Sequence, residues 1–210
     1  MHTLLAPFVQ GVELAGDIRA DMTRLLTRHG YPKTVGHCVR VAAEAKRLAQ
    51  KFGQDQGIAE MAGWLHDVSA VIPLERRITL AQQLGIEVLA EEVTAPMILH
   101  QKLSAVMARE IFQITSEPIL SAIGCHTTLK ADASALDKIV FVADKIAWDG
   151  EGSPPYLEAI LAAVERSLDQ AAWCYLDYLW QQRETLRVSV VHPWFVEAYQ
   201  QLAPIMTART

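Results

Sequence analysis

Apolar side chains recur every three to four residues along most of the chain, the spacing of one buried face of an α-helix. Residues 34–52 are the clearest case, because Gly53 then follows as a typical helix stop. The apolar positions of this stretch are Val35, Cys38, Val41, Ala42, Ala45, Leu48, Ala49 and Phe52. No alternation of period two is long enough to define a sheet, so the pattern predicts an all-α fold.

The same spacing and its punctuation predict further helices at 58–71, 74–84, 97–112, 116–125, 134–148 and 156–183, with a short last helix from Pro193. Ser134 followed by Asp137 resembles a capping box at one of these starts. The clearest break is the Gly- and Pro-rich segment 149–155. We therefore expect one domain over residues 1–210, with a helical core at about 30–150 and a C-terminal helical extension over 151–210.

Composition narrows the class of protein. Of 210 residues, 51% are hydrophobic and 20% are charged, which favours a large core over disorder. The net charge of −5 without a basic run argues against a nucleic-acid surface. No stretch approaches the roughly 20 apolar residues of a membrane span, and the N-terminus lacks the pattern of a signal peptide. A cytoplasmic protein that binds neither membrane nor nucleic acid is the expectation.

One dipeptide carries most of the chemical information. His66 and Asp67 are adjacent, and an imidazole nitrogen and a carboxylate oxygen together suit divalent iron, manganese or zinc. Asp67 can offer one oxygen to each of two ions. The other candidate ligands, brought from several helices, are His37, His100, His126 and Asp144. This set predicts a centre of two divalent metal ions with Asp67 as the bridge, and His100 and His126 then serve the second ion.

Each of these residues also has a simpler interpretation. A lone histidine on an apolar helix is more often a hydrogen-bonded core residue than a ligand. Asp144 is more informative, since it stands between the apolar runs 140–143 and 146–148. A carboxylate in such surroundings requires a strong partner, which is either a metal ion or a cation such as Lys145.

The motifs resemble those of the HD phosphohydrolase superfamily, and the longer set is similar to its YqeK branch, the symmetrical bis(5'-nucleosyl)-tetraphosphatases. The resembling stretches lie at 36–37, 62–67, 98–100, 125–128 and 136–146. The resemblance implies an HD-domain helical bundle that holds two metal ions, commonly iron, and cleaves diadenosine tetraphosphate into two ADP. It also implies that His37, His66, Asp67 and Asp144 hold one ion. His100 and His126 would hold the second, and Asp67 would be shared.

The chain departs from the pattern of this branch at three places. Ala70 stands where a basic residue is usual, Gln101-Lys102 replaces a Gly-Pro, and Leu129-Lys130 replaces a Gly-Arg. None of these changes touches a candidate ligand. Lys102 and Lys130 would return positive charge, which suits a polyphosphate substrate.

If the reaction is hydrolysis of a phosphoanhydride, the other polar residues near the candidate ligands have expected roles in it. With two ions held by Asp67, a bridging water would become the nucleophile near neutral pH. We expect Lys102 and Lys130 to help the leaving group, with Arg40 and Lys145 as further cations at the substrate. Thr127 and Thr128 are expected to donate hydroxyls to phosphate. The simpler interpretations are exposed helix charges for the cations and a helix cap for the threonines.

Two other functions remain open at this point. One is an HD-type phosphatase that acts on mononucleotides or deoxynucleotides. The other is a nucleotide-binding regulatory HD domain without turnover. For the two-metal centre itself, the candidates besides iron are manganese, zinc and magnesium. The aromatic helix of the extension is expected either to cover the core or to form a homodimer contact.

Overall fold

A computed structural model describes residues 1–148, 150–184 and 190–207, and within these ranges the chain is all-α with no strand. The described residues form twelve α-helices: α1 (Ala6–Val9), α2 (Ile18–Arg28), α3 (Pro32–Lys51), α4 (Gln56–Leu65), α5 (Arg77–Gln83), α6 (Ala90–Thr94), α7 (His100–Ile111), α8 (Glu117–Gly124), α9 (Ala135–Ile146), α10 (Leu157–Val164), α11 (Leu168–Gln182) and α12 (Pro193–Thr207). Short 3-10 turns cover Thr3–Leu5, Val68–Val71, Leu74–Arg76 and Pro96–Leu99. None of the described helices is both long and apolar enough to cross a membrane.

Helices α3, α4 and α9 form the centre of the bundle. Helix α3 packs along both α4 and α9, and α8 lies against α4 and α9. The approach of α3 to α4 is close because Gly63 has no side chain. A Cβ at this position would lie 2.7 Å from the Cα of Ala42, well inside contact distance. This glycine therefore sets how near the two helices come.

The last three helices cover one side of this core. Helices α10 and α11 pack against α9, and α12 packs against α11. The aromatic residues of α11 take part in this packing, and the ring of Tyr175 meets that of Phe141 at 5.6 Å between centroids. The extension thus lies on the core, while a homodimer contact stays a prediction.

Several helix boundaries follow the sequence pattern. Helix α3 runs to Lys51, and Gly53 follows in the left-handed region with φ at 65°. Ser134 and Asp137 form the predicted capping box, because each side chain accepts a hydrogen bond from the backbone nitrogen of the other. Helix α2 was not predicted, although Asp17 caps it by accepting from Ala20 N.

Two predicted helices were too long. The helix expected over 58–71 ends at Leu65, and a 3-10 turn begins at Val68, so His66 and Asp67 occupy the link between them. The helix expected over 156–183 is two helices, since Ser167 starts α11 by accepting from Gln170 N.

The last helix, expected to be short, has 15 residues. In the predicted break at 149–155, position 149 lies outside the described residues.

Candidate metal centre

Six histidine and aspartate side chains from five parts of the bundle meet at one point. The members of this His/Asp cluster are His37 on α3, His66 and Asp67 after α4, His100 at the start of α7, His126 after α8, and Asp144 on α9. All six are the candidate ligands predicted from the sequence. Their convergence is a product of helix packing, because up to 107 positions separate the members that touch.

The four imidazoles form two pairs whose Nε2 atoms face each other. The Nε2 atoms of His37 and His66 are 3.2 Å apart, and those of His100 and His126 are 2.9 Å apart. Two nitrogen ligands bound to one ion at about 2.0–2.1 Å, at angles near 90–110°, lie about 2.8–3.4 Å apart. The spacing of each pair therefore fits joint coordination of one divalent ion.

Asp67 lies between the two pairs. Its Oδ2 atom is 3.4 Å from Nε2 of His66 and 3.9 Å from Nε2 of His37. Its Oδ1 atom is 3.4 Å from Nε2 of His100 and 3.7 Å from Nε2 of His126. Each carboxylate oxygen thus faces a different histidine pair, which is the arrangement of a bridging ligand.

Backbone carbonyls fix which nitrogen of each imidazole is free. Nδ1 of His66 lies 2.8 Å from Gly63 O, and Nδ1 of His126 lies 2.8 Å from Ile123 O. His100 Nδ1 makes the same contact, at 2.6 Å, with the oxygen of Met97, and His37 Nδ1 lies 3.2 Å from that of Ala147. A carbonyl oxygen only accepts, so each Nδ1 carries the hydrogen and each Nε2 lone pair is left for a metal.

Asp144 lies next to the pair formed by His37 and His66. Its Oδ1 atom is 3.0 Å from Nε2 of His37 and 3.8 Å from Nε2 of His66. Its other oxygen accepts a hydrogen bond of 2.5 Å from Nζ of Lys145. This partly buried carboxylate therefore has both partners considered from the sequence, a cation on one oxygen and the candidate metal position on the other.

The electrostatics of the cluster favour ionised carboxylates. Desolvation opposes ionisation of Asp67, but the neighbouring imidazoles, led by His66, outweigh it and hold the pKa of this carboxyl below its usual value. The pKa of Asp144 is lowered in the same way, chiefly by Lys145 and His37 against desolvation. Among the histidines, desolvation would lower the pKa of His66, yet the two carboxylates raise it to about 9 in the metal-free cluster. A metal ion bound there would displace the proton from Nε2 of His66. For His126, desolvation and the other imidazoles lower the pKa.

One side of the cluster is open to solvent. The side chains of Asp67, His100 and Asp144 are 23%, 19% and 15% exposed. Those of His66 and His126 are 0% and 2% exposed. A substrate therefore has access from the side of Asp67 and His100.

Of the other predicted site residues, Thr127 and Arg40 lie beside the cluster. Thr127 Oγ1 is 3.1 Å from Nε2 of His100. Arg40 is exposed one turn after His37, and its guanidinium donates to the carbonyl oxygens of Gly36 and Trp148. Thr127 therefore lies at the open side of the cluster, beside His100, whereas the guanidinium of Arg40 is held on backbone oxygens near His37.

The structure does not bring Lys102 and Lys130 to the cluster. Nζ of Lys102 is 2.9 Å from an oxygen of the buried Glu92, and Nζ of Lys130 donates to Ser121 Oγ at 2.7 Å. Both lysines line a separate cavity with Trp194. These contacts do not support the leaving-group role predicted for them, which stays a prediction.

Two buried residues that the sequence did not single out support the cluster. The Gln101 Oε1 atom accepts from the backbone nitrogens of Thr127 and Thr128, so it fixes the loop that follows His126. Arg77 donates to the carbonyl oxygen of Met97, the same atom that accepts from His100 Nδ1. In the sequence, Gln101 was noticeable only because Gln101-Lys102 replaces a Gly-Pro of the branch pattern. Nothing in the sequence indicated that Arg77 supports the cluster.

Comparisons with known proteins agree with this geometry. The family model described as "HD domain" matches residues 34–149, more than half of the chain. A Lactococcus lactis protein described only as uncharacterised is 45% identical over 159 residues, covering 76% of this chain and 78% of the relative. The symmetrical bis(5'-nucleosyl)-tetraphosphatase of Bacillus subtilis is 30% identical over 154 residues, covering 72% of this chain and 78% of that enzyme.

A solved structure extends the likeness to the whole fold. It is a predicted HD superfamily hydrolase involved in NAD metabolism from Clostridium acetobutylicum, with a TM-score of 0.81 and 25% identity. The alignment covers 95% of this chain and 100% of the other. The family match and the shared fold lead to one conclusion: the chain belongs to the HD domain family of hydrolases, which are metal-dependent.

Proposed function

We propose that this protein hydrolyses dinucleoside tetraphosphates symmetrically, and that its substrate is diadenosine tetraphosphate, which it cleaves into two molecules of ADP. Support comes from relatives named symmetrical bis(5'-nucleosyl)-tetraphosphatase, which are 30–35% identical to this chain. The choice of substrate rests on these names together with the chemistry of the cluster.

The position of Asp67 between the two histidine pairs is the observation that carries the proposal. A mononuclear centre needs only one pair and one or two carboxylates. Here each oxygen of Asp67 lies 3.4 Å from the nearest Nε2 atom of a different pair. In the proposal His37, His66, Asp67 and Asp144 hold one divalent ion, and Asp67, His100 and His126 hold the other.

Two bound ions, with iron as the first candidate, would supply activated water and neutralise phosphoryl charge. The protein contributes imidazoles whose orientation is already fixed and carboxylates that stay ionised. In the proposal Thr127, beside His100, donates its hydroxyl to a phosphate oxygen, and Arg40, exposed one turn after His37, donates its guanidinium. The contacts of Lys145 with Asp144 and with His126 O support orienting the ligands rather than holding the substrate. Those of Thr128, with Gln101 and Leu129 O, support a role in the loop.

The test is product analysis with metal-loaded protein. Purified protein loaded with Fe²⁺ or Mn²⁺ is incubated separately with diadenosine tetraphosphate, ADP and dGTP, with a chelator-treated sample as the control. ADP as the sole product of diadenosine tetraphosphate is the expected result. Release of phosphate or triphosphate from ADP or dGTP would instead indicate a phosphatase of mononucleotides. No product from any substrate would indicate a binding module, and either outcome would overturn the proposal.

The metal itself is tested independently. Elemental analysis of protein purified without oxygen is expected to give about two metal ions per chain, with iron dominant. Zinc or manganese in place of iron would change the cofactor and leave the reaction untouched.

A further inference from the structure

A cavity beside the cluster has no assigned role, and we propose that it binds the nucleoside, the base with its ribose, of the substrate whose phosphates lie at the metal ions. The inference rests on the proposed function and names the part of that site that recognises the organic half of the substrate. The cavity measures about 130 Å³. Its lining comprises Ile98, Thr127, Thr128, Leu179, Arg183, Val190, Val191, His192 and Phe195.

The cavity and the His/Asp cluster are neighbours. Thr127 is one of its walls, and the hydroxyl of this residue is 3.1 Å from Nε2 of His100. Ile98, a second wall, lies in the 3-10 turn that leads into His100. The open side of the cluster is also the side of His100. A nucleotide with phosphate at His100 therefore has its nucleoside within reach of this cavity.

The lining suits a flat, largely apolar group with a polar edge. Aliphatic side chains and Phe195 supply most of the walls, as in small-molecule sites generally. Phe195 is held in a stack of aromatic rings, with its ring 6.4 Å from that of Tyr199 and tilted by only 11°. Such a fixed aromatic face is a suitable surface for a base, because stacking tolerates any base.

Few polar groups of the lining are free to contact a ligand. Both ring nitrogens of His192 have partners, Glu92 at 3.3 Å and the backbone nitrogen of Trp194 at 3.2 Å. The hydroxyl of Thr128 donates within its own loop. The remaining groups are the hydroxyl of Thr127 and part of the guanidinium of Arg183, which lies over Trp180 with its side chain 37% exposed. Nη1 of Arg183 donates to the carbonyl oxygen of Trp180, and Nη2 lies 3.8 Å from the exposed Glu184, so its remaining N–H groups are left for a ligand. Thr127 and Arg183 would contact the ribose and the α-phosphate, so the cavity selects for a nucleoside more than for one particular base.

The test compares two ligands that differ only in the nucleoside. Isothermal titration of Mn²⁺-loaded protein measures binding of α,β-methylene-ADP and of methylenediphosphonate, neither of which is cleaved at its P–C–P bridge. Val190→Trp fills the cavity, and Val12→Trp is the matched control, since Val12 is a partly buried valine lining a different cavity. We expect Val190→Trp to weaken α,β-methylene-ADP by about tenfold or more and to leave methylenediphosphonate within about twofold. The control should bind both ligands like the wild type.

Equal weakening of both ligands, or unchanged affinity for α,β-methylene-ADP, would overturn the inference. If Val190→Trp does not fold, judged by circular dichroism, Leu179→Trp fills the same cavity from α11 and is read in the same way. The measurement is independent of turnover. A nucleoside effect on binding without cleavage of diadenosine tetraphosphate would refute the proposed reaction while supporting the cavity.

Discussion

The side-chain amide of Gln101 is bonded to the hydroxyl of Thr128, with 3.0 Å between Nε2 and Oγ1, although the two residues belong to different parts of the cluster's frame. Gln101 follows His100, and Thr128 lies two residues after His126. Leu129, the next residue, adopts the left-handed region with φ at 56°, which is costly for a leucine. Gln101 and Leu129 stand at two of the positions where the sequence departs from the pattern of the YqeK branch that it resembles. These two departures lie close together, and Gln101 holds the loop in which Leu129 adopts its strained conformation.

We expect Gln101→Leu to destabilise the protein by on the order of 1–3 kcal/mol, because it leaves the buried nitrogens of Thr127 and Thr128 without an acceptor. The substitution should also weaken metal binding by His100 and His126, because the loop after His126 no longer holds this imidazole at its distance from His100. Urea unfolding and Mn²⁺ titration measure the two effects. Gln82→Leu, at an exposed helix position, is the control. Wild-type stability and metal binding in Gln101→Leu would show that the loop does not depend on this amide.

The contact between Gly63 and Ala42 makes a prediction about helix spacing. Gly63→Ala should cost about 1–3 kcal/mol and reduce metal binding, because the new methyl group pushes α4 from α3 and separates His66 from His37. Gly57→Ala is the matched control in the same helix, where an added Cβ meets only a side-chain oxygen of Asp55 at 3.4 Å. Its effect on the free energy of unfolding should stay within about 1 kcal/mol. Similar values for the two variants would contradict the close-packing argument.

Asp67→Ala tests the bridge. Removal of the one carboxylate that faces both histidine pairs should abolish hydrolysis and reduce the bound metal from about two ions per chain towards none. Elemental analysis measures the metal without reference to activity. Asp169→Ala is the control, as this residue is a surface partner of Lys138 at 2.7 Å. Full metal content in Asp67→Ala would refute the bridging assignment.

Lys102→Met distinguishes a structural lysine from a catalytic one. Glu92 is fully buried, and loss of its 2.9 Å partner should destabilise the protein by about 3–5 kcal/mol. Lys46→Met removes a pair whose side chains are 48% and 38% exposed, and should cost less than about 1 kcal/mol. Thermal unfolding and kcat are measured together at a temperature where both variants are folded. Unchanged stability with a large loss of kcat would instead support the leaving-group role predicted from the sequence.

Much of the fold could be predicted from local patterns. Helix α3 was indicated by its apolar stripe and by Gly53, and the start of α9 was indicated by Ser134. The break before Leu168 was missed although Ser167 and Gln170 carried a capping signal, because the apolar spacing of the flanking stretches looked continuous. The six residues of the His/Asp cluster could be predicted from the sequence, because few residue types bind metal ions and these types are chemically distinctive.

The surroundings of the cluster could not be predicted in the same way. Gln101, Arg77 and Glu92 act through contacts that depend on how helices pack, and neither residue type nor spacing marks them. The expected roles of Lys102 and Lys130 illustrate the difficulty. Their charge, at two positions where the chain departs from the pattern of the branch it resembles, indicated substrate contact. Their side chains instead bond to Glu92 and Ser121, away from the cluster.

The carbonyl contacts of the four imidazoles have a consequence for how the centre matures during synthesis. His66, His100 and His126 each use an oxygen three residues earlier, so their tautomers are selected as soon as the local turn forms. His37 uses an oxygen 110 residues later, that of Ala147. His37, the first of these ligands to be synthesised, therefore depends for its orientation on an oxygen that is made after all the other ligands.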